Sequence, residues 1–67
     1  MERCQAAAAK HGVILEDFGP STTELLVDAE MLTERWPETG DRPAAKCTIT
    51  SNRLTYLQVG DRVLSRR

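Results

Sequence analysis

The chain is poor in the residues that build large interiors and reactive sites. Its only aromatic side chains are Phe18, Trp36 and Tyr56. Rings carry the largest burial payload, so these three are expected to anchor most of the core. His11 is the one histidine, and Cys4 and Cys47 are the only cysteines. Their spacings match no zinc pattern, so no metal is expected. The cysteines form no C-x-x-C and stand too far apart to read as a disulfide framework. Free thiols in a reducing, cytoplasmic compartment are the expectation. No apolar run approaches the roughly 20 residues that a membrane span needs, so no membrane partner is expected. There is no G-x-S-x-G, no glycine loop to cradle phosphate and no H-E-x-x-H. The adjacent Glu16 and Asp17, just before Gly19-Pro20, read as a solvated loop rather than a general acid and base. A domain of 67 residues buries only about 60% of its unfolded surface, which leaves little room for a walled pocket beside a core. These absences point away from an enzyme and a cofactor, toward one small domain over residues 1–67 that binds another macromolecule.

What is present is a division of charge. The net charge is −1, but residues 16–41 hold eight acids against Arg35, while residues 42–67 hold six bases against Asp61. A basic C-terminal face can meet an acidic partner, and the two halves can equally attract each other within the fold.

Along the chain, residues 2–10 favour helix through four consecutive alanines, with Gly12 placed to cap its end. Residues 1–12 are expected to form a loosely packed helical arm. Residues 13–18 read as a short extended run, broken by Gly19-Pro20. Ser21 followed by Glu24 has the form of a capping box and announces a helix over residues 22–36. Leu25, Ala29, Leu32 and Trp36 would share one stripe of it, with Glu30 and Glu34 on the opposite side. Its first turns also suit a strand, because TELLV is compatible with extended backbone. Pro37 ends the element. In residues 43–51 the signals conflict: PAAKC tolerates helix, whereas Thr48-Ile49-Thr50 is β-branched and prefers strand. Beyond them, LTYLQV and RVLSR flank Gly60-Asp61, the signature of a tight hairpin.

The hairpin run Tyr56-Leu57-Gln58-Val59-Gly60-Asp61-Arg62-Val63-Leu64-Ser65-Arg66 resembles the wing of small excisionase-like proteins, which share the winged helix-turn-helix class with MerR-type DNA-binding domains. Upstream, Glu24-Leu25-Leu26, Asp28-Ala29-Glu30 and Leu32-Thr33-Glu34-Arg35-Trp36 are similar to the family's opening leucine pair and first helix. The resemblance covers about residues 24–67. It implies an α+β winged helix-turn-helix fold with a C-terminal β-hairpin wing, and a phage or mobile-element excisionase or regulator that binds duplex DNA, with several copies possible on one site. It also implies that Arg42, Lys46, Thr48 and Ser51 on a second helix face the major groove, and that Arg62, Arg66 and Arg67 clamp phosphate or the minor groove. Arg53 belongs to the same basic ribbon. Thr48-Ile49-Thr50 departs from the pattern, because the family's second helix is normally a strong helix former.

A second architecture places residues 46–66 in a three-stranded antiparallel meander backed by the 22–36 helix. The chain would then be an acidic protein-binding module or inhibitor, a mimic of nucleic acid that meets a basic protein through Glu30 and Glu34. A third possibility is a virion or complex subunit whose core is finished by its neighbours. The state of residues 43–51 separates the first two: helix favours DNA, strand favours the meander.

Overall fold

A computed structural model describes residues 2–66. Helix α1 covers Glu2–Lys10 and a 3-10 turn follows at Leu15–Phe18. The rest is sheet: β1 Thr22–Leu26, β2 Met31–Trp36, β3 Ala45–Thr50, β4 Arg53–Val59 and β5 Arg62–Arg66. Every strand pairs antiparallel with its neighbour in sequence, in the spatial order β1-β2-β3-β4-β5. Among the described residues, no helix is long and apolar enough to cross a membrane.

This is not a winged helix-turn-helix. The first helix of that reading, residues 22–36, is the β1–β2 hairpin. Leu25 and Leu32, which looked like neighbours on a helical stripe, face each other across the two strands, while Ala29 lies in the turn between them. Ser21 does not cap a helix: its hydroxyl donates to the Glu34 carboxylate across the sheet. The expected recognition helix at residues 42–51 contains β3 instead. There the β-branched Thr48, Ile49 and Thr50 prevail over the helix tolerance of the preceding alanines. The three-stranded meander over residues 46–66 exists as β3–β4–β5, but its backing is α1 rather than a 22–36 helix. Of residues 13–18, read as extended, Ile14 keeps extended backbone, whereas Leu15–Phe18 close into the 3-10 turn.

Helix α1 ends as its sequence suggests. Gly12 adopts φ 78°, the Gly12 amide donates to the Ala9 carbonyl at 3.0 Å, and the Val13 amide donates to the Ala8 carbonyl at 2.9 Å. This is a Schellman cap, which needs a residue in the left-handed region. Cys4 and Ala8, one turn apart, are fully buried against the sheet.

Cys4 and Cys47 are not free thiols. They form a disulfide that joins α1 to β3, with 6.1 Å between their Cα atoms, inside the reach of a bridge. Docking of α1 on the sheet brings them together, and linear spacing gives no sign of that.

The register sorts the sheet into two faces. On the helix side, Trp36, Ala45 and Val59 form one row across β2, β3 and β4; Glu34, Cys47 and Leu57 form the next; Leu32, Ile49 and Leu54 form the third. Trp36, Ala45, Cys47, Ile49 and Leu57 join Cys4, Ala8, Leu15 and Phe18 in the buried core. Of the three rings expected to anchor the interior, Phe18 and Trp36 do so. Tyr56 lies on the other face.

Candidate functional site

Among the described residues, no element covers the face turned away from α1. Its rows are Met31–Thr50–Arg53, Thr33–Thr48–Tyr56 and Arg35–Lys46–Gln58. Thr22, Glu24 and Leu26 extend these rows onto β1, and Val63 and Arg66 extend them onto β5. Threonine suits such a surface, since its branched Cβ fits the pleat and its hydroxyl pairs across strands. The Thr33 and Thr48 hydroxyls lie 3.3 Å apart, and those of Thr50 and Thr55 lie 3.1 Å apart. Thr55 is the extra residue where the β3–β4 register shifts, and its hydroxyl reaches the Thr48 carbonyl at 3.3 Å. This ladder makes the middle of the face firm and polar.

Charge gathers at its ends. Among the described residues, Arg35, Lys46, Arg53 and Arg66 lie on this face against a single acid, Glu24. Arg35 and Lys46 are direct cross-strand partners, an arrangement that costs stability because like charges oppose each other. Among the described residues, neither has a carboxylate partner. The Lys46 ammonium sits 5.6 Å from the centre of the Tyr56 ring. The Tyr56 hydroxyl hydrogen-bonds to the Gln58 side chain, and the Gln58 amide donates to the Gly60 carbonyl at 2.9 Å. The ring is therefore held in place through the β4–β5 turn. A shallow hollow of about 610 Å³ lies on this face, another of about 500 Å³ adjoins it at the end of the sheet, and Arg35 and Lys46 line both.

The residues expected to touch DNA are divided by the fold. Lys46, Thr48, Arg53 and Arg66 share the open face. Thr48 is buried there beside Thr33. Ser51 lies in the β3–β4 turn, where its amide donates to the Glu30 carbonyl at 2.9 Å and its hydroxyl to the Glu30 carboxylate at 2.8 Å. Arg62 pairs with Val59, whose row faces the helix side. Arg62 and Arg66 therefore do not form one clamp. Arg42 stands in the connector between β2 and β3, with its guanidinium 5.8 Å from the centre of the Phe18 ring. Arg67 lies outside the described residues.

Glu30 and Glu34 do not share a surface either. Glu30 is exposed at the β1–β2 turn, whereas Glu34 is 9% exposed on the helix side of β2. Arg35 and Tyr56 are the site residues that sequence reasoning missed. The signal for Arg35 was the alternation Met31, Thr33, Arg35 against Leu32, Glu34, Trp36, hidden because Met31 and Glu34 invert the usual polarity of the two faces. Among the described residues, no cluster of three His, Cys, Asp or Glu side chains is placed to hold a metal ion. In comparisons with protein-family models, curated proteins and solved structures, nothing matches the chain.

Proposed function

We propose that the chain is a binding module, not an enzyme, that lays a single strand of nucleic acid across the open face of its sheet. The observation that carries this reading is the directly opposed Arg35–Lys46 pair, with no carboxylate partner among the described residues, beside the fixed ring of Tyr56. A phosphate between the two cations relieves their repulsion. An aromatic ring on a sheet face offers a stacking platform to an unpaired base.

Duplex DNA fits this face poorly. Five strands at about 4.8 Å spacing span roughly 19 Å, wider than the ~12 Å major groove. The β4–β5 hairpin is an integral part of the sheet rather than a separate ribbon. The Cys4–Cys47 bridge supports an oxidising compartment over the cytoplasm, because thiol pools keep cytosolic cysteines reduced.

The test is fluorescence anisotropy with a short labelled oligothymidylate at low salt. Binding should weaken linearly on a log–log plot against salt, by about 0.7 per phosphate contact. Arg35→Ala with Lys46→Ala should weaken it and flatten that slope. Tyr56→Ala should cost about 1–3 kcal/mol. Arg62→Ala, on the other side of the sheet, should change little. Equal affinity in wild type and the Arg35/Lys46 double variant would remove the open face from consideration.

A further inference from the structure

We infer that the smaller hollow is a pocket for a phosphorylated strand end, taking one terminal nucleotide with its base on the apolar floor and its phosphate between Arg35 and Lys46. This inference rests on the reading of the open face as a single-strand platform. The hollow lies at one end of the sheet, where β2 and β3 meet their connector and the β4–β5 turn. Trp36, Pro37, Ala44 and Ala45 supply apolar lining, Gly60 a wall, and Arg35 with Lys46 a cationic rim. Its volume of about 500 Å³ falls in the range of pockets that hold small ligands.

The pocket is built rather than incidental. The Gly60 amide donates to the Ala44 carbonyl at 2.7 Å, which pins its two sides together. Gly60 holds φ 60°, and a Cβ there would meet the Pro43 Cβ at 3.2 Å, so the wall is close-packed from behind. The exposed Ala44 leaves space that a larger side chain would fill.

The charge count selects an end rather than an interior link. A phosphodiester carries one negative charge, while a terminal phosphate monoester carries about −1.5 to −2 at neutral pH. Two cations on directly paired residues can converge on one such group, and the dianion balances both. A strand that runs along the open face reaches this hollow where the sheet stops, so an end is what it presents there.

The experiment compares four forms of one short oligonucleotide: with a 5′-phosphate, with a 3′-phosphate, with neither, and circularised. Anisotropy reports affinity, and the emission of Trp36, the sole tryptophan, reports occupancy of the hollow. At least one phosphorylated form should bind about tenfold tighter than the bare and circular forms and should alter Trp36 emission. Ala44→Leu, at an exposed position that fills the hollow, should erase that preference while leaving the affinity for the circle unchanged. Arg35→Gln should erase it without filling the hollow. If all four forms bind equally and Trp36 emission stays constant, the end pocket is overturned and the open-face reading stands. If none binds, both are overturned together.

Discussion

Cys4 on the buried side of α1 is joined to Cys47 in β3, the middle strand of the sheet, and the bridge closes a separation of 43 residues. In the chain-entropy view, a loop of that length contributes about 4 kcal/mol by restricting the unfolded state. A domain of this size has roughly 3–10 kcal/mol in all. Reduction, or Cys4→Ala with Cys47→Ala, should therefore lower the Tm by about 15 °C or more in far-UV circular dichroism. An unchanged Tm after verified reduction would show that the bridge is not what holds α1 on the sheet.

The Thr33 and Thr48 hydroxyls, both buried and 3.3 Å apart, should behave as a coupled pair. Thr33→Val alone strands the Thr48 hydroxyl and should cost about 1–2 kcal/mol. Replacing both by valine removes donor and acceptor together and suits the strand at least as well, so the double variant should lie close to wild type. Urea denaturation of the four proteins in the cycle measures this. Simple additivity would mean that the two hydroxyls do not interact.

Two hairpin turns use left-handed backbone with different tolerance. Asn52 holds φ 68° and Ser51 φ 49°, the paired positive angles of a primed turn. Asn52→Ala should cost about 1 kcal/mol, since alanine tolerates that region less well. Gly60→Ala should cost more, about 2 kcal/mol, because the strained φ is compounded by the approach to Pro43. Comparable urea midpoints for the two variants would contradict the close contact between Gly60 and Pro43.

Arg35 should be a residue whose removal strengthens the fold. Its cross-strand partner is Lys46, so Arg35→Gln should stabilise by a few tenths to about 1 kcal/mol in low salt. The gain should fade in high salt as the repulsion is screened. Unfolding midpoints at the two salt concentrations check it; a loss of stability in low salt would mean that Arg35 has a favourable role in the free protein.

The C-terminal hairpin was legible because its information is local. Gly60-Asp61 dictates the turn, and the flanking LTYLQV and RVLSR carry strand-forming residues on both sides of it. The same locality explains the alanine-rich helix and its glycine cap. Residues 22–36 were misread because two local patterns agreed on the wrong answer: Ser21-x-x-Glu24 mimics a capping box, and Leu25, Ala29, Leu32 and Trp36 mimic a helical stripe. What overrode them is tertiary: Leu25 faces Leu32 across a hairpin, and Ser21 spends its proton on Glu34. The β-branched triplet at 48–50 was the honest local clue to β3, outweighed by a family resemblance that its own departure contradicted. Of the open face, Lys46, Thr48, Arg53 and Arg66 were singled out in advance for their chemistry. That they share a surface with Arg35 and Tyr56, and that Arg62 does not, follows only from register, which composition does not encode.

Since strands adjacent in the chain are hydrogen-bonded neighbours in the sheet, the sheet's contacts are local in sequence, a topology that favours rapid folding. The helix is the exception. It is translated before any of its partners, and its anchor point on β3 follows 43 residues later. During synthesis, then, α1 emerges ahead of the strand that anchors it, and until β3 follows Cys4 remains a thiol awaiting its mate, open to the wrong one.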